Sequence, residues 1–374
     1  MNDLNVFYLA AYDKNKSSGV EKKINTQIKN LSNLNVLVTR VGWMVGDNQA
    51  LCTVNKIKLL HYIISTSRKY EKRNILYIRG CFNYILCFFI VFLRPACLKI
   101  VFELQSIQSN EFKNTHNPNI LWRLQSMLKS KMDSFFVVRI LNSSDAIVSV
   151  TSEIDWWYKD LTHNKLNYLI LGNGISISLL PISRRPKTMD VLNVLCVAKV
   201  DIWHGVDRFI RGIHECQNLI NNIPIILHVV GDGPELLHLK ELTTELNLQD
   251  RIIFYGFKSG KELDEMFDMC HIALDALAGF RKGLTETSSL KSREYCSRGI
   301  PFIASSKDAD FPDEWEYILK IPDDETPVDM NMVIAFANRM MADLEHSQKM
   351  RRYAEEHLDW MAKMKVLKVF LESL

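Results

Sequence analysis

The second half of this chain alternates apolar runs of strand length with helical patterns, and that alternation constrains its fold more than any other feature. Val191–Ala198, Ile225–Val230, Ile252–Tyr255, His271–Ala276 and Ile300–Ser305 read as strands. Between the first two, Val206, Phe209, Ile210, Ile213 and Ile220 keep helical spacing. After the second, Pro234 suits a first helical turn, and Leu236, Leu237, Leu239, Leu242 and Leu246 continue it. Such an order predicts a parallel sheet with helices on both faces, an α/β architecture.

The first half repeats the theme less regularly, with strands expected at Leu4–Ala11, Val36–Thr39, Ile75–Ile78, Lys99–Glu103, Ala146–Val150 and Tyr168–Leu171. At 374 residues the chain suits two domains better than one core. The polar, Pro-containing stretch Ser178–Asp190 reads as the linker. We therefore expect domains at 1–180 and 190–350, followed by a helical segment at 351–374. Met330–Leu374 as a whole reads as consecutive helices.

Charge is divided unevenly between these halves. Residues 1–180 hold 22 Lys and Arg against 12 Asp and Glu, and the remainder holds 24 against 31. A basic first half suits an anionic partner such as nucleic acid, a membrane surface or a phosphorylated substrate, or it is a solvated surface. The eight cysteines form no Cys-x-x-Cys pair, as expected of small buried hydrophobes in a reducing compartment. Tyr12-Asp13-Lys14 interrupts the first apolar run, unlike a secretory leader, so a cytoplasmic protein is expected. The apolar segment Cys81–Leu93 is too short to span a bilayer and reads as a core helix or an interfacial contact.

Parallel sheets bind ligands beyond the carboxyl ends of their strands, which directs attention to the loops there. The richest runs from Glu286 through Ser288-Ser289-Leu290-Lys291 to Glu294, and on to Gly299 and Pro301. Ser288 or Ser289 can cap a short helix ending at Gly299. The N–H groups at its start, with Lys291 beside them, suit a diphosphate. Glu294, one turn further in, can hold two ribose hydroxyls, while Glu286 faces whatever lies beyond the phosphates.

These residues resemble glycosyltransferase family 4, whose signature is two glutamates separated by seven residues, then small residues, Gly and a Pro-led strand. The Ser-Ser-Leu-Lys-Ser-Arg-Glu-Tyr wording is similar to a subgroup of bacterial surface-polysaccharide enzymes. The resemblance is close through residues 190–305 and weaker over 1–180. It implies a GT-B fold, meaning two Rossmann-like domains facing a cleft, with a terminal helix near Lys363–Leu371 returning to the N-terminal domain. It also implies a retaining enzyme that moves a sugar from a nucleoside-diphosphate donor, UDP- or GDP-linked, to a hydroxyl of a glycan or lipid-linked glycan. In the family the second glutamate binds ribose and the first contacts the donor sugar.

Five further stretches carry the resemblance. Lys199 and His204 fall where the family has Arg and Lys, a pair that neutralises the leaving diphosphate. Histidine is only partly charged near neutrality, so either His204 donates one hydrogen bond or Arg281 and Lys282 supply the charge. Gly231-Asp232-Gly233-Pro234 lacks the third glycine of a dinucleotide fingerprint and matches the family's tight turn near the nucleotide. Gly19 falls in the loop that approaches the donor phosphate. Glu103 ends a strand where relatives place a cleft histidine, a candidate for the acceptor hydroxyl, and Asn173-Gly174-Ile175 resembles a structural turn. Glu286, Lys199 and Glu103 are the catalytic candidates.

Asp308-Ala309-Asp310 spells the Asp-x-Asp of metal-dependent transferases, but three residues with two common acids arise easily by chance. His61, His116, His163 and His357 have no ligand spacing. No metal or cofactor is expected, cations and helix N–H groups taking that role. Two other classes share some features: a GT-B nucleotide-sugar 2-epimerase, and a basic nucleic-acid-binding protein, which the tight-turn motifs disfavour.

Overall fold

The computed structural model describes residues 4–12, 18–44, 49–69, 73–80, 92–105, 137–163, 166–216 and 223–374. The chain forms two compact units, Met1–Gly172 with Trp360–Leu374, and Asn173–Asp359.

The first unit is built on a six-stranded parallel sheet of order β2-β1-β3-β4-β5-β6. Its strands are β1 (Leu4–Tyr12), β2 (Leu37–Met44), β3 (Arg73–Arg79), β4 (Leu98–Leu104), β5 (Ala146–Ser149) and β6 (Asn167–Ile170). Its helices include α1 (Ser18–Asn33), α2 (Gln49–Lys69) and α3 (Ser152–Leu161). Side chains of a strand alternate between faces, and here each face has its own core. Val6, Tyr8 and Ala10 join Ile24 and Leu31 of α1, whereas Phe7 and Leu9 join Ile63 of α2 and Tyr158 of α3. Burial on both faces is why these strands read as unbroken apolar runs. A C-terminal helix, Trp360–Ser373, completes the α1 side with Met364, Leu367 and Leu371, all fully buried. Burying each contributes about 1.5–3 kcal/mol.

The second unit holds a sheet of order β12-β11-β10-β7-β8-β9, again parallel throughout. The strands are β7 (Leu192–Val197), β8 (Ile225–Val230), β9 (Ile252–Gly256), β10 (Ile272–Leu274), β11 (Phe302–Ala304) and β12 (Ile318–Lys320). The helices are α4 (Val206–Cys216), α5 (Leu236–Glu245), α6 (Gly260–Met269), α7 (Leu290–Arg298), α8 (Met330–Ala342) and α9 (His346–Tyr353). The chain runs outward from β7 through β8 to β9, then returns to place β10 on the other side of β7. The strand order therefore reverses between β7 and β10, which opens a crevice at their carboxyl ends.

The expected linker at 178–190 is instead part of the second unit. Ser183 donates its N–H to the Arg298 carbonyl at 2.9 Å, and His271 Nε2 bonds the Thr188 carbonyl at 2.9 Å. Arg185 donates to the carbonyls of Met340, Met341 and Asp343. Its guanidinium satisfies carbonyls left open at the end of α8, a role that a polar, basic composition does not distinguish from a linker. The units divide at 172/173 and again at 359/360, so residues 351–359 also stay with the second unit.

Candidate functional site

Lys199 is exposed just past β7, and the chain then makes a tight helical turn over Ile202–His204. Asp201 caps that turn, and the His204 ring closes it by accepting the Asp201 N–H on Nδ1 at 3.0 Å. An accepting Nδ1 leaves the proton of a neutral imidazole on Nε2. Burial, with the charge of Lys291 added, pushes the His204 pKa down to about 3. His204 is therefore uncharged near neutrality, with an Nε2–H to donate.

Ser289 caps α7, accepting the Lys291 N–H on Oγ at 3.1 Å, and Gly299 ends the helix. The same Ser289 hydroxyl donates to Asp275 Oδ1 at 2.8 Å. Lys291 Nζ lies 3.4 Å from that oxygen, buried and without a hydrogen-bond partner. An ammonium with open donors at a helix N-terminus is set to receive an anion.

Two cavities open at this crevice. The larger, about 960 Å³, is walled by the ends of β7 and β8 and includes Lys199, Gly231, Gly233 and Phe257. The smaller, about 210 Å³, is lined by Asp275, Lys282, Glu286, Thr287 and Ser289 among others. Trp203, His204 and Lys291 line both, so the neutral donor and the buried ammonium mark their junction. The backbone around Glu286 is fixed from behind: Thr287 N–H donates to the Lys307 carbonyl at 2.8 Å, and Lys307 N–H to that of Thr285 at 3.1 Å.

Gly231 and Gly233 serve chain packing at the wall of the larger cavity. A Cβ on Gly231 would lie 1.9 Å from the Ala198 carbonyl oxygen, and one on Gly233 2.0 Å from that of Val200. Only glycine lets the ends of β7 and β8 come this close.

Several expected residues are placed elsewhere. Arg281 lines neither cavity: Asp207 takes both its Nη atoms at 2.8 Å, and Glu325 binds it as well. Lys282 does reach the smaller cavity, its ammonium 4.4 Å from the Trp203 ring centre. Ser288 points to Asn173, and Leu290 is exposed. Glu294 lines neither cavity, and Arg298 Nε donates to its Oε1 at 2.9 Å.

In the first unit Gly19 lies in the first turn of α1, and the loop before it, 13–17, lies outside the described residues. So does 81–91 of the apolar segment; Phe92 and Leu93 at its end are exposed. Glu103 is not the open carboxylate its position suggested. It is 3% exposed, 3.6 Å from Arg79 and 3.8 Å from Lys23, and accepts from Gln105 Nε2 at 2.5 Å. Burial raises its pKa, but Arg79 and then Lys23 outweigh that and hold it below the usual range. A network of this kind cannot be read from strand-end position alone.

Two buried residues that the sequence did not single out lie at or behind the start of α7. Asp275 is one; Arg293, wholly buried, is another. Its Nη atoms meet Asp308, with one bond of 3.0 Å, and also Asp310, while Nε donates to the Asn173 carbonyl at 2.9 Å. Burial opposes its charge, and Asp308 and then Asp310 override that, so its pKa is raised. Both acids of the Asp-x-Asp triplet are thus committed to an arginine. Among the described residues no group of three or more His, Cys, Asp or Glu is placed to hold a metal ion.

The sequence family "Glycosyl transferases group 1" matches residues 183–314, a span that includes the crevice between β7 and β10. The match spans about a third of the chain. A phosphatidylinositol N-acetylglucosaminyltransferase subunit from Arabidopsis thaliana is 26% identical over 132 residues of the chain. That alignment covers 35% of this chain and 28% of the Arabidopsis protein. Solved structures match over nearly the whole length. Anabaena Alr3699/HepE in complex with UDP superposes with a TM-score of 0.67 at 14% identity, covering 99% of this chain and 100% of that one. Sucrose-phosphate synthase from Thermosynechococcus elongatus also gives 0.67, at 13% identity with 99% and 98% covered. The lipopolysaccharide outer core galactosyltransferase WaaB, in its apo form, gives 0.62 at 13% identity with 99% and 100% covered. The architecture around the matched span is thus GT-B: two α/β units, each on a six-stranded parallel sheet.

Proposed function

We propose that this chain is a glycosyltransferase whose group 1 domain binds a nucleoside-diphosphate sugar and transfers the sugar to a hydroxyl of a glycan or lipid-linked glycan, in surface-polysaccharide synthesis. The observation that carries this reading is the junction of the two cavities. A diphosphate there meets Lys291, the Nε2–H of His204 and the N-terminus of α7. The nucleoside then fills the larger cavity and the sugar the smaller, beside Glu286. HepE was solved with UDP and with UDP-glucose, which supports the choice of ligand class.

The chemistry follows from the charge that develops on the leaving diphosphate. Lys199, Lys291 and the helix N–H groups stabilise that charge in place, the role a bound cation fills in other transferases. Transfer proceeds with retention of anomeric configuration, and no side chain is assigned as covalent nucleophile.

The purified chain should bind nucleoside diphosphates and nucleotide sugars in calorimetry, and should transfer sugar in excess EDTA. Binding without transfer to any acceptor, but with epimerisation of the donor, would favour the 2-epimerase instead. Loss of transfer in EDTA that magnesium restores would overturn the metal-free mechanism.

The basic first half, with Phe92 and Leu93 exposed beside Arg94, supports peripheral docking on an anionic membrane at the cytoplasmic face. No helix among the described residues is long and apolar enough to cross a membrane. Well-placed bases contribute about 1 kcal/mol each at such a surface. Sedimentation with anionic vesicles, weakened by salt, is the expected result.

A further inference from the structure

One buried acid at the junction has no part in the reaction just described. Asp275 directly follows β10, borders the crevice where the strand order reverses, and is 2% exposed. Its Oδ1 receives the Ser289 hydroxyl at 2.8 Å and lies 3.4 Å from Lys291 Nζ. Among the described residues no hydrogen bond engages Oδ2. Asp275 nevertheless lines the smaller cavity, which it shares with Glu286.

A carboxylate this deeply buried is costly unless its oxygens find donors. Lys291 cannot serve two anions equally. Once a diphosphate occupies the junction, the ammonium turns part of its charge to the phosphates and leaves Asp275 less compensated. The group that enters the smaller cavity with the diphosphate must then supply donors, and the hydroxyls of a pyranose do so. A sugar bearing its own carboxylate would instead bring a like charge toward Asp275 and Glu286.

We propose that Asp275 selects the donor sugar: its Oδ2 accepts a sugar hydroxyl, so the site takes neutral, hydroxyl-rich hexoses and refuses uronic acids. The proposal rests on the nucleotide-sugar reading above and adds to it a residue and a substrate class.

The test is calorimetric titration of wild type and Asp275→Asn with UDP, UDP-glucose and UDP-glucuronate, and with the guanosine series GDP and GDP-mannose. The readout is the ratio of affinities, sugar nucleotide over the parent diphosphate, so that any common effect on the phosphates cancels. Asparagine keeps an acceptor for Ser289. Wild type should prefer the neutral sugar nucleotide over UDP-glucuronate, or its GDP-linked counterpart over GDP. Asp275→Asn should lower the neutral-sugar ratio by about tenfold or more, the loss expected of a charge-assisted hydrogen bond. An unchanged ratio in the variant overturns the proposal, even if both affinities rise together, which would mean that Asp275 only repels the diphosphate. Preference of the wild type for UDP-glucuronate overturns it too, and that measurement needs no variant. If wild type binds no nucleotide of either series, the glycosyl-transfer reading itself falls and takes this proposal with it.

Discussion

Asn173 and Ser288 are joined by two hydrogen bonds. The Asn173 N–H donates to Ser288 Oγ at 2.7 Å, and its side-chain Nδ2 donates to the Ser288 carbonyl at 2.6 Å. The first residue of the second unit is thereby stitched to the residue preceding the α7 cap.

Asn173→Ala should remove the side-chain bond and loosen the start of α7. A loss of about 0.5–1.5 kcal/mol in stability is expected from one hydrogen bond. Urea unfolding measures it, and nucleoside-diphosphate affinity should fall in parallel. Unchanged affinity in a destabilised variant would confine Asn173 to a structural part.

Glu294→Ala should weaken nucleoside-diphosphate binding by about 1.5–3 kcal/mol if its carboxylate turns from Arg298 to the ribose hydroxyls. Arg298→Gln, which removes the competing partner, should bind nucleotide at least as well as wild type. Equal affinity of wild type and Glu294→Ala by calorimetry would exclude the ribose role.

The His204 pKa of about 3 carries a sign that can be checked. Its folded value lies below the ordinary 6.5, so the unfolded chain takes up the proton first. Stability should therefore fall as pH drops from about 6.5 toward 3, and His204→Asn should lose part of that fall. The subtraction is needed because burial also lowers His228, to about 4. Nucleotide affinity should show no His204 titration between pH 5.5 and 8. A protonation step in that interval that disappears in His204→Asn would mean the imidazole carries charge in the complex.

Arg293→Met should be more damaging than either partner's loss, since it strands the two carboxylates of Asp308 and Asp310. Breaking a buried pair from one side costs about 3–5 kcal/mol. Chemical denaturation should show it, and restoring neutrality with Asp308→Asn in the same chain should recover part of the loss.

Much of the fold was legible because parallel strands are buried on both faces, so that Leu4–Ala11 and Ile225–Val230 announce themselves as apolar runs. The short strand Ile318–Lys320 was not, since three residues carry no periodicity. The site was legible where chemistry depends on local spacing, as with the Ser289 cap, Gly299 and the strand-end glycines. It was illegible where partners are distant in sequence. Arg281 looked available until Asp207 and Glu325 were seen on it, and Glu103 until Arg79 and Lys23 were. Asp275 gave no signal, because an acid after a strand is commonplace until the fold places Ser289 and Lys291 against it.

The C-terminal helix sets an order on biosynthesis. Met364, Leu367 and Leu371 fill the core between β1 and α1, yet they leave the ribosome only after the entire second unit. The amino-terminal half, made first, must wait with that apolar face uncovered while the later half is synthesised and can close on itself. Translation thus reverses the usual sequence of maturation: the second unit can be finished first, and the unit that precedes it is sealed only by residues made after it.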